Sequence, residues 1–271
     1  MIEACSRTAW RWLLGLALPA GLAWALWQSE FRPDQLLSVR AIEQAGRFLA
    51  DCWPPRTDTA FLLATLRGAC ETLAVAVLGT LLALAIGLPL GLLASRAVAH
   101  GAEPAAPFPL PWRVIWLGAR TVAALLRSVP EVIWAVVLVS LVGLGPTAGV
   151  LALGIAYGGM IAKVYAEQLE SALPAAPAAL AAAGAGRLQT ALWGWLPQAA
   201  PGFASYATYR FECAVRASAL MGYVGGGGLG MQLEVSFGYS HYGEVATQVL
   251  ALIALVAVVE FAADALLRRL R

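Results

Sequence analysis

Apolar residues in this chain fall into long uninterrupted runs. Thr72–Ala94, Val132–Val142, Val150–Ala162 and Val245–Leu267 are apolar on every side, and several approach the roughly 20 residues a helix needs to cross a hydrocarbon core. A membrane β-barrel would alternate apolar and polar positions over about ten residues instead. The pattern predicts an all-α, polytopic helical membrane protein.

The runs and their punctuation place about six transmembrane helices. Trp10–Trp27 follows Arg7 and Arg11. A basic start and Ala23-Trp24-Ala25 also fit a cleaved signal peptide. Trp10, Trp12, Trp24 and Trp27 nevertheless bracket the run as an interfacial belt does, which favours a retained helix. Glu30–Arg67 is the most polar section, and within it Leu37, Ile42, Ala45, Phe48 and Leu49 recur at helical spacing. That pattern predicts an amphipathic helix on a membrane surface or on other helices. Asp58 is placed to cap the next helix. The second span covers Leu66–Ser95, the Pro-rich stretch Gly101–Pro111 is a loop, and the third span covers Arg113–Val142. Gly143–Pro146 turns the chain into a fourth span ending near Lys163. A fifth covers Pro201–Tyr223, and a sixth ends at Leu267. Two sections result: 1–65, a transmembrane helix with an external amphipathic segment, and 66–271, the main transmembrane domain. Arg7, Arg11, Arg96, Arg113, Lys163, Arg187 and the Arg268–Arg271 tail fall on one side, which puts both termini in the cytoplasm.

Composition agrees and narrows the function. The 271 residues are 60% hydrophobic and 13% charged, with a mean hydropathy of +0.73; soluble domains carry about 25% charged residues. A net charge of +2 without a basic tract leaves no footprint for nucleic acid. Cys5, Cys52, Cys70 and Cys213 are scattered, so no zinc site is expected, and isolated thiols are favoured over a Cys52–Cys70 bridge. HExxH, GxSxG and GxxxxGK are absent. Gly225–Gly230 satisfies GxGxxG, but a membrane span precedes it where a dinucleotide site needs a strand. The chain is not expected to be an enzyme, nor to hold a metal.

Charge inside spans carries the remaining signal, because each such residue costs about 2.5–3.5 kcal/mol at a helix centre. Arg113, Arg120 and Arg127 recur every seven residues, and Glu131 lies four beyond Arg127, close enough to pair with it on the same face. Glu212 and Arg216 repeat that spacing in the fifth span, with Arg210 just before. Internal locking pairs and snorkelling arginines would explain such residues. Arginine in excess of acid within a membrane equally suits passage of an anion. Between the fourth and fifth spans, Leu173–Pro197 holds a proline-started Ala-rich helix, then Gly184, Gly186 and Arg187. A glycine after a helix allows a left-handed cap.

Ala179, Gly184 and, thirteen residues later, Leu196-Pro197 resemble the cytoplasmic coupling loop of bacterial ABC importer permeases, written E-A-A-x-x-x-G with a later hydrophobic-x-Leu-Pro. Ala178 stands for the glutamate, Leu180 for the second alanine and Gly194 for the hydrophobic residue. Further segments resemble the phosphonate/phosphite-type permease: Glu71-Thr72-Leu73, Arg127–Glu131, Gly143–Pro146, Tyr209–Glu212, Val215-Arg216-Ala217 and the glycine run. The resemblance implies a type I ABC importer (binding-protein-dependent permease) fold in the bacterial inner membrane. It also implies a homodimer on two ABC ATPase subunits, fed by a periplasmic substrate-binding protein, with ATP and magnesium bound by the ATPases and no cofactor here. On that reading, Arg127, Glu131, Arg210, Glu212 and Arg216 flank an oxyanion path through the lipid-embedded domain. Gly225, Gly226, Gly227, Gly228 and Gly230 form an outer gate. Ala178, Ala179, Ala182, Gly184, Arg187 and Pro197, in the loop 173–197, couple to the ATPases. An ion-coupled secondary transporter and a non-transporting scaffold are the alternatives. The former should show inverted repeats, and none is evident.

Overall fold

The computed structural model describes residues 15, 17–29, 38–100 and 110–270. The expected helix start at Trp10, the segment Glu30–Leu37, most of the Pro-rich loop and Arg271 lie outside them. The chain forms two compact units, Met1–Asp51 and Cys52–Arg271. In the first, residues 17–28 are helical and expose Leu18, Leu22, Trp24 and Trp27. A second helix, α1 (Val39–Asp51), is capped where Ser38 Oγ accepts the Ala41 N–H at 3.2 Å. It is the amphipathic helix predicted from its spacing.

The second unit is helical wherever it is regular. α2 (Thr59–Ala94) has 36 residues and so extends about 54 Å, beyond a roughly 30 Å hydrocarbon core. Short α3 (Arg96–His100) follows, then α4 (Leu110–Ser128) and α5 (Glu131–Val142). α6 (Pro146–Ser171) starts with proline, which suits the first helical turn, where its N–H is not needed. After α7 (Ala175–Ala182) and α8 (Arg187–Thr190), a π-helical turn over Ala191–Trp195 runs into α9 (Leu196–Met221). A second π-helical turn, Gly222–Gly226, precedes α10 (Gly228–Gly238) and α11 (Tyr242–Leu270). Among the described residues α2, α6 and α11 are each long and apolar enough to span a membrane, and α4 with α5 passes the same test as a bent pair, a broken span or a re-entrant loop.

α2 and α6 form the centre. Thr65, Gly68, Thr72, Ala76, Gly79, Ala83, Gly87 and Gly91 make a buried small-residue stripe along α2. α6 answers with Ala148, Gly149, Ala152, Gly154, Ala156 and Gly158. Apolar side chains gain little by leaving lipid for protein, so membrane helices associate through close backbone packing, which small residues permit. Leu153 sits over Gly79, and Ile161 over Gly87. On another face of α6, a Cβ on Gly159 would lie 2.8 Å from the Ala123 carbonyl oxygen and 2.9 Å from the Arg127 nitrogen of α4. These are backbone atoms and cannot rotate away. Gly159→Leu is therefore expected to destabilise the protein by about 1–3 kcal/mol or more. Gly118→Leu, with open space around it, should be silent. Thermal inactivation of the two purified variants in detergent checks this.

One expected span is corrected. Arg113–Val142 is not a single rod: α4 and α5 meet at 86° across Ser128–Pro130. Pro130 takes extended dihedrals (φ −55°, ψ 142°) and starts a new helix, consistent with proline's missing N–H and the restriction it places on Val129.

Candidate functional site

The bend at Ser128–Pro130 removes the helical register that would have brought Arg127 and Glu131 together, and no ion pair joins them among the described residues. The expected Glu212–Arg216 pair is not made either. Arg216 Nη1 instead reaches Glu260 Oε1 of α11 at 2.6 Å, tying α9 to α11. Arg120 likewise binds Glu170 Oε1 of α6 at 2.8 Å, and its Nε donates to the Ala94 carbonyl at the end of α2. These two arginines are interhelical ties. Glu212 is half-buried on α9, within electrostatic range of Glu260, Asp264 and Arg216.

Arg210 differs. It is half-buried and makes no ion pair among the described residues. Its Nε donates to Tyr206 Oη at 3.0 Å. Its guanidinium lies 4.6 Å from the Tyr157 ring centre and 5.5 Å from that of Tyr206, and also touches Met160 Sδ. The stacking follows from the guanidinium's flat, weakly hydrated shape. Tyr157 is 3% exposed, and Glu131, Cys213 and Arg216 lie within electrostatic range of its hydroxyl. The column extends through Tyr165, stacked on Phe203 at 3.8 Å with its Oη donating to the Phe203 carbonyl at 3.0 Å. Tyr206 meets Tyr165 edge-on at 6.3 Å. An aromatic seam between α6 and α9 thus holds a cation in fixed orientation. Tyr157 and Tyr165 are eight apart, and Phe203, Tyr206 and Arg210 are three and four apart. That helical spacing is the signal by which sequence reasoning could have found the seam and did not.

The glycine run is packed inside the fold. Gly226, Gly227, Gly228 and Gly230 are buried. Gly225, Gly227 and Gly228 have φ of 99°, 81° and 72°, a region a side chain disfavours. These turns break the path between α9 and α10 and bring three backbones together. The Gly145 N–H donates to the Gly225 carbonyl at 2.9 Å. Thr72 Oγ1 of α2 accepts the Leu229 N–H at 2.9 Å and donates to the Gly68 carbonyl at 2.9 Å. Ser218 Oγ donates to the Thr72 carbonyl at 3.1 Å. Thr72 pins the start of α10 to α2, a role with no signal in the sequence alone.

At the far end of α6, Leu173–Pro197 folds as two short helices. α7 closes with the Ala185 N–H on the Leu180 carbonyl (3.0 Å) and the Gly184 N–H on the Ala181 carbonyl (2.9 Å). Gly184 is left-handed at φ 86°, completing a Schellman cap. Pro177 is buried against Gly194. Ala178, Ala179, Ala182 and Pro197 remain exposed, beside Leu188 and a Trp193 that is 75% exposed. Half-buried Arg187 lies 5.3 Å from the Trp112 ring centre of α4. Cys52, Cys70 and Cys213 are free thiols.

Residues 113–271 match the model of the binding-protein-dependent transport system inner membrane component. The phosphite transport system permease protein PtxC of Stutzerimonas stutzeri is 36% identical over 227 residues, 84% of this chain and 78% of that one. The phosphate-import permease protein PhnE of Mycolicibacterium smegmatis is 36% identical over 180 residues, 66% of this chain and 32% of that one. Among solved structures, an inward-facing MetNI methionine ABC transporter chain superposes with a TM-score of 0.65 at 26% identity, covering 79% of this chain and all of that one. Such proteins lie in the bacterial inner membrane as multi-pass permeases and work with an ATPase and a substrate-binding protein. This chain belongs to the binding-protein-dependent transport system inner membrane components and is the permease subunit of an ABC importer.

Proposed function

We propose that this permease moves a phosphorus oxyanion (phosphonate, phosphite or a similar ion) into the cytoplasm, and that Arg210 faces its path. The observation that carries this reading is a half-buried arginine, held by Tyr157, Tyr206 and Met160, with no carboxylate to neutralise it among the described residues. Guanidinium presents paired donors that suit tetrahedral oxyanions. The names of the relatives, phosphite and phosphate permeases, support the same class. Glu131, within electrostatic range of Tyr157, and Glu212 flank this path, and Arg216, neutralised by Glu260, serves mainly to hold α9 on α11.

The permease works as a homodimer on two ATPase subunits that bind ATP and magnesium; this chain is non-catalytic and needs no cofactor. Both termini are cytoplasmic, and residues 66–271 constitute the transporting domain. Ala178, Ala179, Ala182, Gly184, Arg187 and Pro197 form the ATPase contact, supported by the exposed Leu188 and Trp193 beside them. Gly225–Gly230 acts as the outer gate, with Thr72 holding the start of α10 beside it. ATP binding closes the ATPase dimer, the 173–197 segment carries the movement to α6 and α9, and the gate opens outward.

The test is ATP hydrolysis by the copurified transporter in lipid discs, with its binding protein and phosphite, methylphosphonate, phosphate, sulfate or methionine in turn. Stimulation several-fold by a phosphorus oxyanion alone is expected. Stimulation by methionine or sulfate, with none by phosphorus oxyanions, overturns the substrate reading.

A further inference from the structure

A second cluster of charge lies away from the Arg210 seam. α4 and α6, with Ala94 at the end of α2, line a recess of about 240 Å³. Its polar lining is Arg120, Arg127, Lys163 and Glu167, and its floor is Ala94, Ala123, Ala124 and Ala166. Three cations therefore face the recess. Arg120 is committed to Glu170 at 2.8 Å. Lys163 approaches Glu167 at 3.5 Å, with both side chains about half exposed, so the pair is weak and easily exchanged. Arg127 makes no ion pair or hydrogen bond among the described residues. Two carboxylates thus answer three cations, and Arg127 is the surplus.

The alanine floor leaves space beside these heads rather than filling it. Arg127 and Lys163 are both exposed at the recess, and a guanidinium without a carboxylate there offers an oxyanion paired, charge-assisted donors. The recess also lies towards the Ser171 end of α6, from which the 173–197 segment departs.

We propose that this recess is a second oxyanion site, distinct from Arg210, in which Arg127 and Lys163 hold a phosphate-class group while Arg120, fixed by Glu170, forms its wall. Its location on the ATPase side rests on the coupling reading given above. A free phosphate ion and the phosphodiester of an anionic lipid share the chemistry.

Ala124→Cys, a small change at the one exposed alanine of the recess, reports occupancy in the complete transporter with its ATPase in lipid discs. The rate of modification by a negatively charged methanethiosulfonate is read at position 124 by peptide mass spectrometry. In phosphatidylcholine discs, protection of several-fold by added inorganic phosphate identifies a free oxyanion. Protection of similar size in phosphatidylglycerol discs, with no phosphate added, identifies the lipid headgroup. Either protection should vanish in Arg127→Gln/Lys163→Gln, survive in Arg127→Lys, and survive in Arg210→Gln. No protection in either disc overturns the site, and so does a position 124 that never reacts. Failure of the transport reading shows separately, as missing oxyanion-stimulated hydrolysis in the same discs.

Discussion

Replacing Arg210 by glutamine is expected to lower oxyanion uptake about a hundredfold while leaving the folded permease intact. Glutamine keeps much of the stem that packs near Met160 and Tyr157, and no carboxylate is stranded, because none pairs with Arg210 among the described residues. What disappears is the charge. A hydrogen bond to a charged group contributes about 1.5–3 kcal/mol, and 1.4 kcal/mol is a factor of ten, so the upper end of that range gives about two orders of magnitude. Arg210→Lys retains the charge but not the flat fork that stacks on two tyrosines, and should fall between. Arg216→Gln is the contrast. Its partner Glu260 is about half exposed, a setting in which ion pairs contribute about 0.2–1 kcal/mol, so uptake should change only a few-fold. The measurement is ATP-driven uptake into proteoliposomes at matched amounts of transporter. Equal losses in Arg210→Gln and Arg216→Gln would refute a special role for Arg210.

The contrast between these arginines shows what a sequence can and cannot disclose. The long helices were legible because lipid enforces apolar runs, and α2, α6 and α11 fall where the runs do. The fifth expected span falls on α9, but Arg210, Glu212 and Arg216 interrupt its apolar run, and α9 is not among the described helices apolar enough to span a membrane. Partnership was not legible. Spacing of four promises a pair only on one continuous helix with no better partner nearby. The break after Ser128 removes the first condition for Arg127, and Glu260 removes the second for Arg216. Proline was equally ambiguous. Pro89 sits inside an unbroken α2, whereas Pro130 begins a helix turned by 86°. Neighbouring helices can re-satisfy the backbone a proline frees, so tertiary packing decides which proline bends the chain. Thr72 shows the same limit: a threonine on an apolar stripe reads as a small packing residue until α10 places the Leu229 N–H on it.

Gly184→Val is expected to uncouple ATP hydrolysis from transport while the ATPase stays bound. No atom lies within 4 Å of the place a Cβ would occupy, so the effect cannot come from crowding. It comes from φ of 86°. The left-handed conformation costs about 1–2 kcal/mol for an ordinary residue, and more for a branched one. Relief of that strain would undo the Schellman cap and redirect Ala185 onward, so that α7 and the exposed Trp193 no longer present one rigid surface. The order of severity should be Asn, then Ala, then Val, because asparagine tolerates this region best after glycine. Gly186→Ala supplies the control. Its φ is −70° and ψ 165°, which alanine adopts freely, and its nearest neighbour is a glutamine oxygen at 3.9 Å. Trp193→Glu attacks the same surface by charge without touching the cap, and should release the ATPase during purification. The readout is the ratio of substrate transported to ATP hydrolysed, with copurified ATPase quantified beside it. A valine variant whose ratio matches the Gly186→Ala control would separate the cap from coupling. The exposed apolar surface around Trp193 would then have to carry the ATPase contact alone.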